Sequence, residues 1–197
     1  AAFAGPAPMF LVDANAPGSG KGLYTDLVTT INEGLPAARF TAPTSDDEYR
    51  KVITSAAMSG AAYVVFDNVK GTLGGQALEN ALTTGRWCDR ILGGNKQIDV
   101  PVNWVWFATS NNAALSTDML RRCCHIRLDT KEERPELRSG FRHADLLAYV
   151  SENRRKLAIA ALSIPARYIE AGRPDMKLPP WGGVHGWSDL VRNASVW

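Results

Sequence analysis

The chain has 197 residues, of which 45% are hydrophobic and 21% are charged, and its formal net charge is +2 at pH 7. This composition is typical of a globular protein, and the length allows one large domain and a small appendage. The small net charge excludes binding to nucleic acid through overall basicity, so any basic surface has to be local.

Three cysteines and three histidines are present, and neither set has the spacing of metal ligands. No signal peptide and no run of about 18 apolar residues is found. We therefore expect a cytoplasmic, reducing environment and no membrane partner. The chain is also expected to be a domain of a longer protein, because it ends inside a helical pattern.

The first predicted elements are a strand, a glycine-rich turn and a helix. Residues 9–12 are apolar, and beyond Lys21 apolar residues recur at helical spacing. A turn of this kind directs backbone N–H groups and the positive end of a helix dipole at an anion. The stretch therefore predicts a phosphate-binding loop for a nucleotide. Its candidate binding residues are Asn15, Ala16, Pro17, Gly18, Ser19, Gly20, Lys21, Gly22 and Leu23.

Two positions depart from the G-x-x-x-x-G-K-[ST] pattern of such loops. Asn15 stands at the first glycine, and Gly22 stands where a Ser or Thr hydroxyl ligates magnesium. Thr25, one helical turn later, is the candidate replacement for that hydroxyl. Lys21 keeps the positive charge for the β- and γ-phosphates. Nucleotide binding is therefore expected to tolerate these departures better than fast hydrolysis does.

Two further buried strands are predicted to end in polar side chains. Apolar residues 63–66 precede Asp67 and Asn68, and residues 104–110 precede Asn111 and Asn112. Parallel strands bring their carboxyl ends to one edge of the sheet, where sites are built. Asp67 is therefore predicted to hold a magnesium-bound water, and Asn111 or Asn112 to contact the γ-phosphate or the attacking water. A simple Asx turn is the alternative for the asparagines.

The remaining patterns predict the other elements of an α/β domain and a helical end. Helices are expected at 44–58, 74–84, 115–120, 143–171 with a break at Pro165, and 186–197; strands at 38–42 and 123–128. Residues 86–100 predict a β-hairpin around Gly93-Gly94-Asn95, with Arg90 on its first arm and Lys96 near its tip. Taken alone, this stretch favours a simple hairpin with a solvated lysine.

Arg121 and Arg122 follow the short helix at 115–120 and precede the last predicted strand. Two interpretations are open. Either the pair forms exposed ion pairs, or one of them acts as an arginine finger on the nucleotide of a neighbouring subunit.

The order of these motifs resembles that of an AAA+ ATPase. More closely, the chain resembles the ATPase domain of the primase–helicase proteins of phages and mobile elements, a type related to superfamily 3 and minichromosome-maintenance helicases. The resemblance covers nearly the whole chain. The segments that carry it are 65–71, 81–84, 87–93, 106–112, 118–122, 126–129, 133–138 and 186–192.

This resemblance implies an α/β P-loop NTPase core, a parallel sheet flanked by helices, at 1–129 and a small helical lid, incomplete at its C-terminus, at 130–197. It implies that the hairpin is a pre-sensor-1 hairpin, whose Lys96 and Arg90 contact DNA phosphates in a ring channel. The implied roles at the nucleotide are Lys21 as Walker A lysine, Asp67 as Walker B aspartate, Asn112 or Asn111 as sensor 1, Arg121 or Arg122 as arginine finger, and Arg192 as sensor 2. Asn68 stands where many AAA+ enzymes carry a catalytic glutamate, so Asp67 or Glu79 would have to replace it.

The implied function is that of an ATP-dependent DNA helicase or translocase. It would form a homo-oligomeric ring, a hexamer, with ATP and Mg²⁺ at subunit interfaces and single-stranded DNA in the channel. One alternative is a nucleotide-dependent oligomerisation or DNA-loading module with little turnover, supported by Gly22 and Asn68. Another is a nucleoside-monophosphate kinase, whose loop is similar but whose arginine-rich lid and Asp-Gly-Phe-Pro segment are not found.

Overall fold

The computed structural model describes residues 5–91 and 96–197. The strands in these residues are β1 (Met9–Ala14), β2 (Arg39–Thr41), β3 (Tyr63–Val69), β4 (Thr72–Leu73), β5 (Arg86–Arg90), β6 (Gln97–Pro101), β7 (Val105–Asn111), β8 (Ala114–Leu115) and β9 (Cys123–Leu128). The helices are α1 (Lys21–Glu33), α2 (Asp46–Ser59), α3 (Gln76–Thr84), α4 (Thr117–Leu120), α5 (Leu146–Glu170), α6 (His185–Trp187) and α7 (Asn193–Val196), with a 3₁₀ turn at Pro135–Leu137 and a π-helical turn at Ser188–Arg192.

The centre of the fold is a five-stranded sheet in the order β2-β3-β7-β1-β9, and all of its strand pairs are parallel. Helices cover both faces, so strands β1, β3 and β7 are almost continuously buried. This arrangement confirms the predicted α/β class with a parallel sheet flanked by helices. It places the carboxyl ends of β1, β3 and β7 side by side at one edge.

The two faces of the sheet have different cores. The larger core contains Ile53 of α2, Leu78 of α3 and Trp106 of β7, all of them buried. The smaller core contains Val12, Val65 and Phe107, and α1 covers it. Helix α1 is therefore held on the face of the sheet that leads directly from the carboxyl end of β1.

The predicted hairpin strands are present as the antiparallel pair β5 and β6. The predicted tip, Gly93-Gly94-Asn95, lies outside the described residues. Alternate residues of β5 face α2, where Trp87 Nε1 donates to Thr54 Oγ1 at 2.9 Å and Asp89 accepts from Arg50 at 2.5 Å. The hairpin is therefore fixed to α2 by one buried and one partly buried polar contact.

Helix α5 runs without a break through Pro165, where the sequence predicts an interruption. Proline removes one hydrogen bond, but this stretch of α5 is largely exposed, so water can satisfy the freed carbonyl. Arg154 joins α5 to the end of α1 by donating to the carbonyls of Ile31, at 3.0 Å, and Asn32. Within residues 5–91 and 96–197, no helix has the length and apolarity that crossing a membrane requires.

Candidate nucleotide-binding site

The glycine-rich loop connects the carboxyl end of β1 to the first turn of α1. Gly18 and Gly20 have φ values of 72° and 92°, a left-handed conformation that favours glycine. A Cβ at Gly18 would lie 3.0 Å from Glu136, so a larger residue would also require Glu136 to shift. Gly20 has no side chain with which to cap α1, and the N–H groups of the first turn are left for a ligand.

Asn15 fixes the start of this loop to the segment after β9. Its Nδ2 donates to the Thr130 carbonyl at 2.7 Å, and its Oδ1 accepts from the Thr130 N–H at 3.1 Å. Both ends of the amide are therefore engaged with backbone. This reciprocal pair gives Asn15 a structural task at the position where the loop pattern has a glycine.

Lys21 and Asn111 meet at the mouth of the loop. Lys21 Nζ donates to Asn111 Oδ1 at 2.7 Å, which joins the first residue of α1 to the last residue of β7. Burial lowers the pKa of Lys21, although the charges of Asp13 and Asp67 act in the opposite direction. Of the two candidate asparagines, Asn111 is the one whose side chain contacts the lysine.

Asn112 is held in place by a buried acid of β1. Asp13 is 1% exposed; its Oδ1 accepts the Ser110 hydroxyl and, at 2.7 Å, the Asn112 N–H, while its Oδ2 accepts from Arg127. Asn112 has a positive φ of 58°, which this bond stabilises. Asp13 had no predicted role, although an acid inside an otherwise apolar strand is a signal for one.

A bulge places Asp67 at the same sheet edge. The pairing of β3 with β7 shifts between Phe66 and Val69, and Asn68 has a φ of 55°. The Thr109 hydroxyl donates to Asp67 Oδ1 at 2.6 Å and accepts the Asn68 N–H at 2.8 Å. Thr109 therefore orients Asp67, while the Asn68 side chain is exposed.

Arg39 is a further charged residue at this edge that sequence analysis did not identify. Its Nη2 donates to Asp26 at 2.7 Å and to the Gly22 carbonyl at 3.1 Å, and its Nη1 lies 3.7 Å from Asp67 Oδ2. The hydrogen bond to Asp26 raises the pKa of Arg39. The guanidinium therefore stands between the start of α1 and the end of β3.

The residues at this edge do not form the usual protein corner for magnesium, in which a loop hydroxyl and an aspartate face the ion together. Gly22 has no hydroxyl, and Thr25, the predicted substitute, is buried and donates to the Lys21 carbonyl at 3.3 Å. The described residues contain no cluster of three or more His, Cys, Asp or Glu that could hold a metal. Asp67 as a ligand of a magnesium-bound water stays a prediction.

An apolar cavity of about 590 Å³ opens beside the loop. Leu23 of α1 forms one wall, and Phe141, His143, Leu146 and Leu147 form the other. The His143 ring stacks on Tyr149 with a centroid distance of 3.9 Å. The size of the cavity and its apolar, aromatic lining suit a flat heterocycle.

Arg121 and Arg122 lie at the opposite edge of the sheet, where β9 begins and where the Arg122 carbonyl accepts the Met9 N–H at 2.9 Å. The six-residue strand β1 separates this edge from the loop by roughly 20 Å. The Arg122 side chain is 14% exposed and faces Asp118 and Glu79, whereas that of Arg121 is 62% exposed. Arg121 is therefore the arginine that a neighbouring molecule can reach.

The structure does not bring Arg192 or Glu79 to the loop. Arg192 donates to the Pro179 carbonyl at 2.8 Å and covers the Trp181 ring, whose Nε1 donates to the Arg121 carbonyl. This places it near the edge opposite its own nucleotide loop. Glu79 accepts from Ser116 at 2.8 Å and faces Arg122, so within one subunit it does not reach the glycine-rich loop.

Arg90 and Lys96 are both exposed on the hairpin. Arg90 follows Asp89, whose carboxylate is turned towards α2, so its own side chain is on the other face of β5. The Lys96 carbonyl accepts the Ile91 N–H at 2.9 Å, which keeps the two arms paired beyond the regular strands. The two cations therefore lie near the described end of the hairpin.

No family model and no curated protein sequence matches the chain. Among solved structures, the apo C-terminal region of NrS-1 matches with a TM-score of 0.51 and 15% identity, over 76% of this chain and 34% of that one. Two structures of JCV helicase match with TM-scores of 0.44 and 0.43 and identities of 17% and 16%, over 86% of this chain and 58% and 57% of theirs. The chain spans about a third of the NrS-1 region, and that likeness shows a shared fold alone.

Proposed function

We propose that this chain is the ATP-binding motor domain of a DNA helicase or translocase of the AAA+ class. The observation that carries the proposal is the 2.7 Å contact of Lys21 with Asn111 at a glycine loop between a central parallel strand and a helix. The loop supplies the phosphate seat, Lys21 the mobile cation, and Asn111 a polar group from the neighbouring strand. Together they suit a nucleoside triphosphate.

Hydrolysis requires a group that orients or deprotonates water at the γ-phosphate. Asn68 cannot take a proton, and Glu79 lies elsewhere, which leaves Asp67 as the candidate acid at this edge. Thr109 holds one oxygen of Asp67, and Asp13 holds the backbone of Asn112. The attacking water would lie between Asp67 and the two asparagines, with the loop and Lys21 stabilising the charge that develops on the phosphate.

A ring of identical subunits, in our proposal a hexamer, would complete this site. Arg121 is exposed at the sheet edge roughly 20 Å from its own loop, beyond the reach of an arginine side chain. It can therefore act only on the nucleotide of a neighbour, as an arginine finger does. Arg192 lies on the same side and would likewise face the neighbour. Arg122, held by Asp118 and Glu79, would position this edge instead of contacting nucleotide.

The cavity between Leu23 and Phe141 gives the first prediction. If the nucleotide base occupies it, Phe141→Ala should weaken ATP binding about fivefold to twentyfold by removing one stacking face. The same variant should bind inorganic tripolyphosphate as the wild type does, because the phosphate seat is untouched. Titration of both ligands, by calorimetry or by competition with a fluorescent nucleotide, separates the two contributions.

Met58→Ala is the matched control for this prediction, because Met58 is an equally exposed apolar residue, on the helix α2. It should bind ATP and tripolyphosphate as the wild type does. If Phe141→Ala reduced the affinities for ATP and tripolyphosphate equally, or reduced neither, the base would have to lie elsewhere.

The hairpin gives the second prediction, for the DNA-binding part of the proposal. A double variant, Arg90→Ala with Lys96→Ala, should bind single-stranded DNA about tenfold more weakly at low salt. Because two phosphate contacts are lost, the slope of log affinity against log salt should also fall by about 1.4. Fluorescence anisotropy with a labelled oligonucleotide at several salt concentrations measures both quantities.

Lys177→Ala is the control, because Lys177 is an exposed lysine in the loop after α5, paired with Asp175. Its affinity and its salt slope should equal those of the wild type. An unchanged salt slope in the hairpin variant would contradict a phosphate-contacting hairpin.

A module that binds nucleotide with little turnover is the second candidate function. Two observations favour it: Arg39 stands in the corner where the loop hydroxyl would be, and Asn68 replaces the catalytic acid. Such a module would assemble or load on DNA in its ATP-bound form. The rate of ATP hydrolysis distinguishes it from a motor.

A further inference from the structure

Gly22 is enclosed by an arginine from another strand. A Cβ at this position would lie 2.8 Å from Arg39 Nη1 and 3.1 Å from Nη2, so one of the two groups would have to shift. A serine or threonine at position 22 would therefore displace the guanidinium from its present position. The Arg39 guanidinium thus occupies the space that a side chain at position 22 would need.

The guanidinium is held by three groups that surround the phosphate end of the site. It donates to Asp26 in α1, donates to the Gly22 carbonyl, and faces Asp67 of β3 at 3.7 Å. These contacts come from the first two turns of α1 and from the bulged end of β3. Its side chain remains 32% exposed, so one side of the guanidinium is open to a ligand.

The planar, permanently charged guanidinium suits this place chemically. Arginine presents several N–H donors in a fixed fork that matches the oxygens of a phosphate group. A divalent cation in the same corner would meet a like charge, and the nearby carboxylate of Asp26 is already paired with Arg39. A phosphate oxygen, in contrast, would find a second cation besides Lys21.

We propose that Arg39 is a phosphate-binding residue that takes the place of the loop hydroxyl and its metal ion, so that this site binds the triphosphate of a nucleotide without a divalent cation. This inference rests on the proposed nucleotide site and adds to it the residue that neutralises the outer phosphates. It concerns binding, and leaves open the cation requirement of the hydrolysis step.

Titration of ATP in buffer with magnesium and in buffer with EDTA tests the inference. The wild type should bind ATP with dissociation constants that differ by less than about threefold between the two buffers. Arg39→Ala should bind ATP about tenfold or more weakly than the wild type in EDTA, which is the equivalent of one charge-assisted hydrogen bond. Arg39→Lys keeps the charge and loses the forked donors, so its affinity in EDTA should lie between those of the wild type and Arg39→Ala.

A double variant provides the reverse test. Gly22→Ser combined with Arg39→Ala creates room for a hydroxyl and removes the competing charge. This variant should bind ATP more tightly with magnesium than with EDTA, by about tenfold. Thermal unfolding of each variant confirms that the fold is kept, and Arg86→Ala, which removes an exposed arginine paired with Asp99 on the hairpin, is the control and should bind like the wild type.

The outcomes separate the two levels of the proposal. The role of Arg39 is refuted, while the nucleotide site stands, by either of two results. One is a wild-type affinity for ATP that is more than about tenfold weaker in EDTA than in magnesium buffer; the other is an Arg39→Ala affinity equal to that of the wild type in EDTA. If the wild type binds ATP in neither buffer, the nucleotide site itself is refuted, and the role of Arg39 with it.

Discussion

Lys21→Ala should reduce the affinity for ATP about 10- to 100-fold. Lys21 is the first residue of α1 and bonds to Asn111, so a triphosphate would exchange an amide oxygen for charged phosphate oxygens. A hydrogen bond to a charged group contributes about 1.5–3 kcal/mol, which corresponds to this range of affinity. Equilibrium titration with a fluorescent ATP analogue, followed by competition with ATP, measures the change.

Lys51→Ala is the matched control for this variant. Lys51 is an exposed lysine on α2, where its partner is Glu48 at 2.5 Å. The control should bind ATP like the wild type, and both variants should unfold at nearly the wild-type temperature because each lysine is near a helix surface. Wild-type affinity in Lys21→Ala would show that the loop is not the phosphate seat.

Asp13→Ala should reduce the free energy of unfolding by about 2–3 kcal/mol at pH 7. The variant removes a 1%-exposed carboxylate and leaves the Ser110 hydroxyl and the Asn112 N–H without their acceptor. The loss of Asp13 should cost less at Arg127, since Arg127 is partly exposed and also pairs with Asp129 at 2.8 Å. Urea denaturation followed by circular dichroism measures the difference.

This difference should depend on pH in a defined direction. Burial acts to raise the pKa of Asp13, but the bonds from Ser110, the Asn112 N–H and Arg127 outweigh it and hold the pKa below its usual value of 3.8. A group with a lower pKa in the folded state stabilises that state above its unfolded pKa and loses this contribution as the pH falls through the folded value. The gap between wild type and Asp13→Ala should therefore shrink as the pH falls below 3.8.

Asp175→Asn serves as the control for both measurements, because Asp175 is an exposed aspartate that pairs with Lys177. It should change the free energy of unfolding by less than about 0.5 kcal/mol. A stability of Asp13→Ala equal to that of the wild type at pH 7 would contradict the account of Asp13 as the support of the Asn112 backbone.

The sheet and the position of the loop were predictable because local patterns determine them. The apolar runs before Asp67 and Asn111 mark strands that are covered on both faces, and the structure has β3 and β7 there. The acids after Ser45 likewise mark the start of α2, where the Ser45 hydroxyl accepts the Glu48 N–H. Because these strands pair in parallel, their carboxyl ends meet at one edge of the sheet.

The residues that complete the site were not predictable in the same way. Arg39 is 17 residues from Gly22 along the chain, on a three-residue edge strand without a clear pattern. Glu136 reaches Gly18 from a 3₁₀ turn in a charged segment that predicts only a loop. Such contacts depend on how distant segments pack, and periodicity carries no information about that.

The resemblance to AAA+ ATPases did not distinguish between the two neighbouring arginines. It treated Arg121 and Arg122 as equal candidates, whereas the structure buries Arg122 against Asp118 and exposes Arg121. It also offered Arg192 as a sensor 2 residue; the Arg192 side chain packs on Trp181, and that role stays a prediction. Side-chain burial, which decides between such neighbours, is a property of tertiary packing.

In the proposed function, the loop between β1 and α1 binds and turns over ATP for work on DNA. The most direct test is the rate of ATP hydrolysis in magnesium buffer, with and without single-stranded DNA, for the wild type and Lys21→Ala. We predict hydrolysis that DNA stimulates and that Lys21→Ala abolishes. Hydrolysis that Lys21→Ala leaves unchanged, or ATP binding without any hydrolysis in either condition, would contradict a motor function.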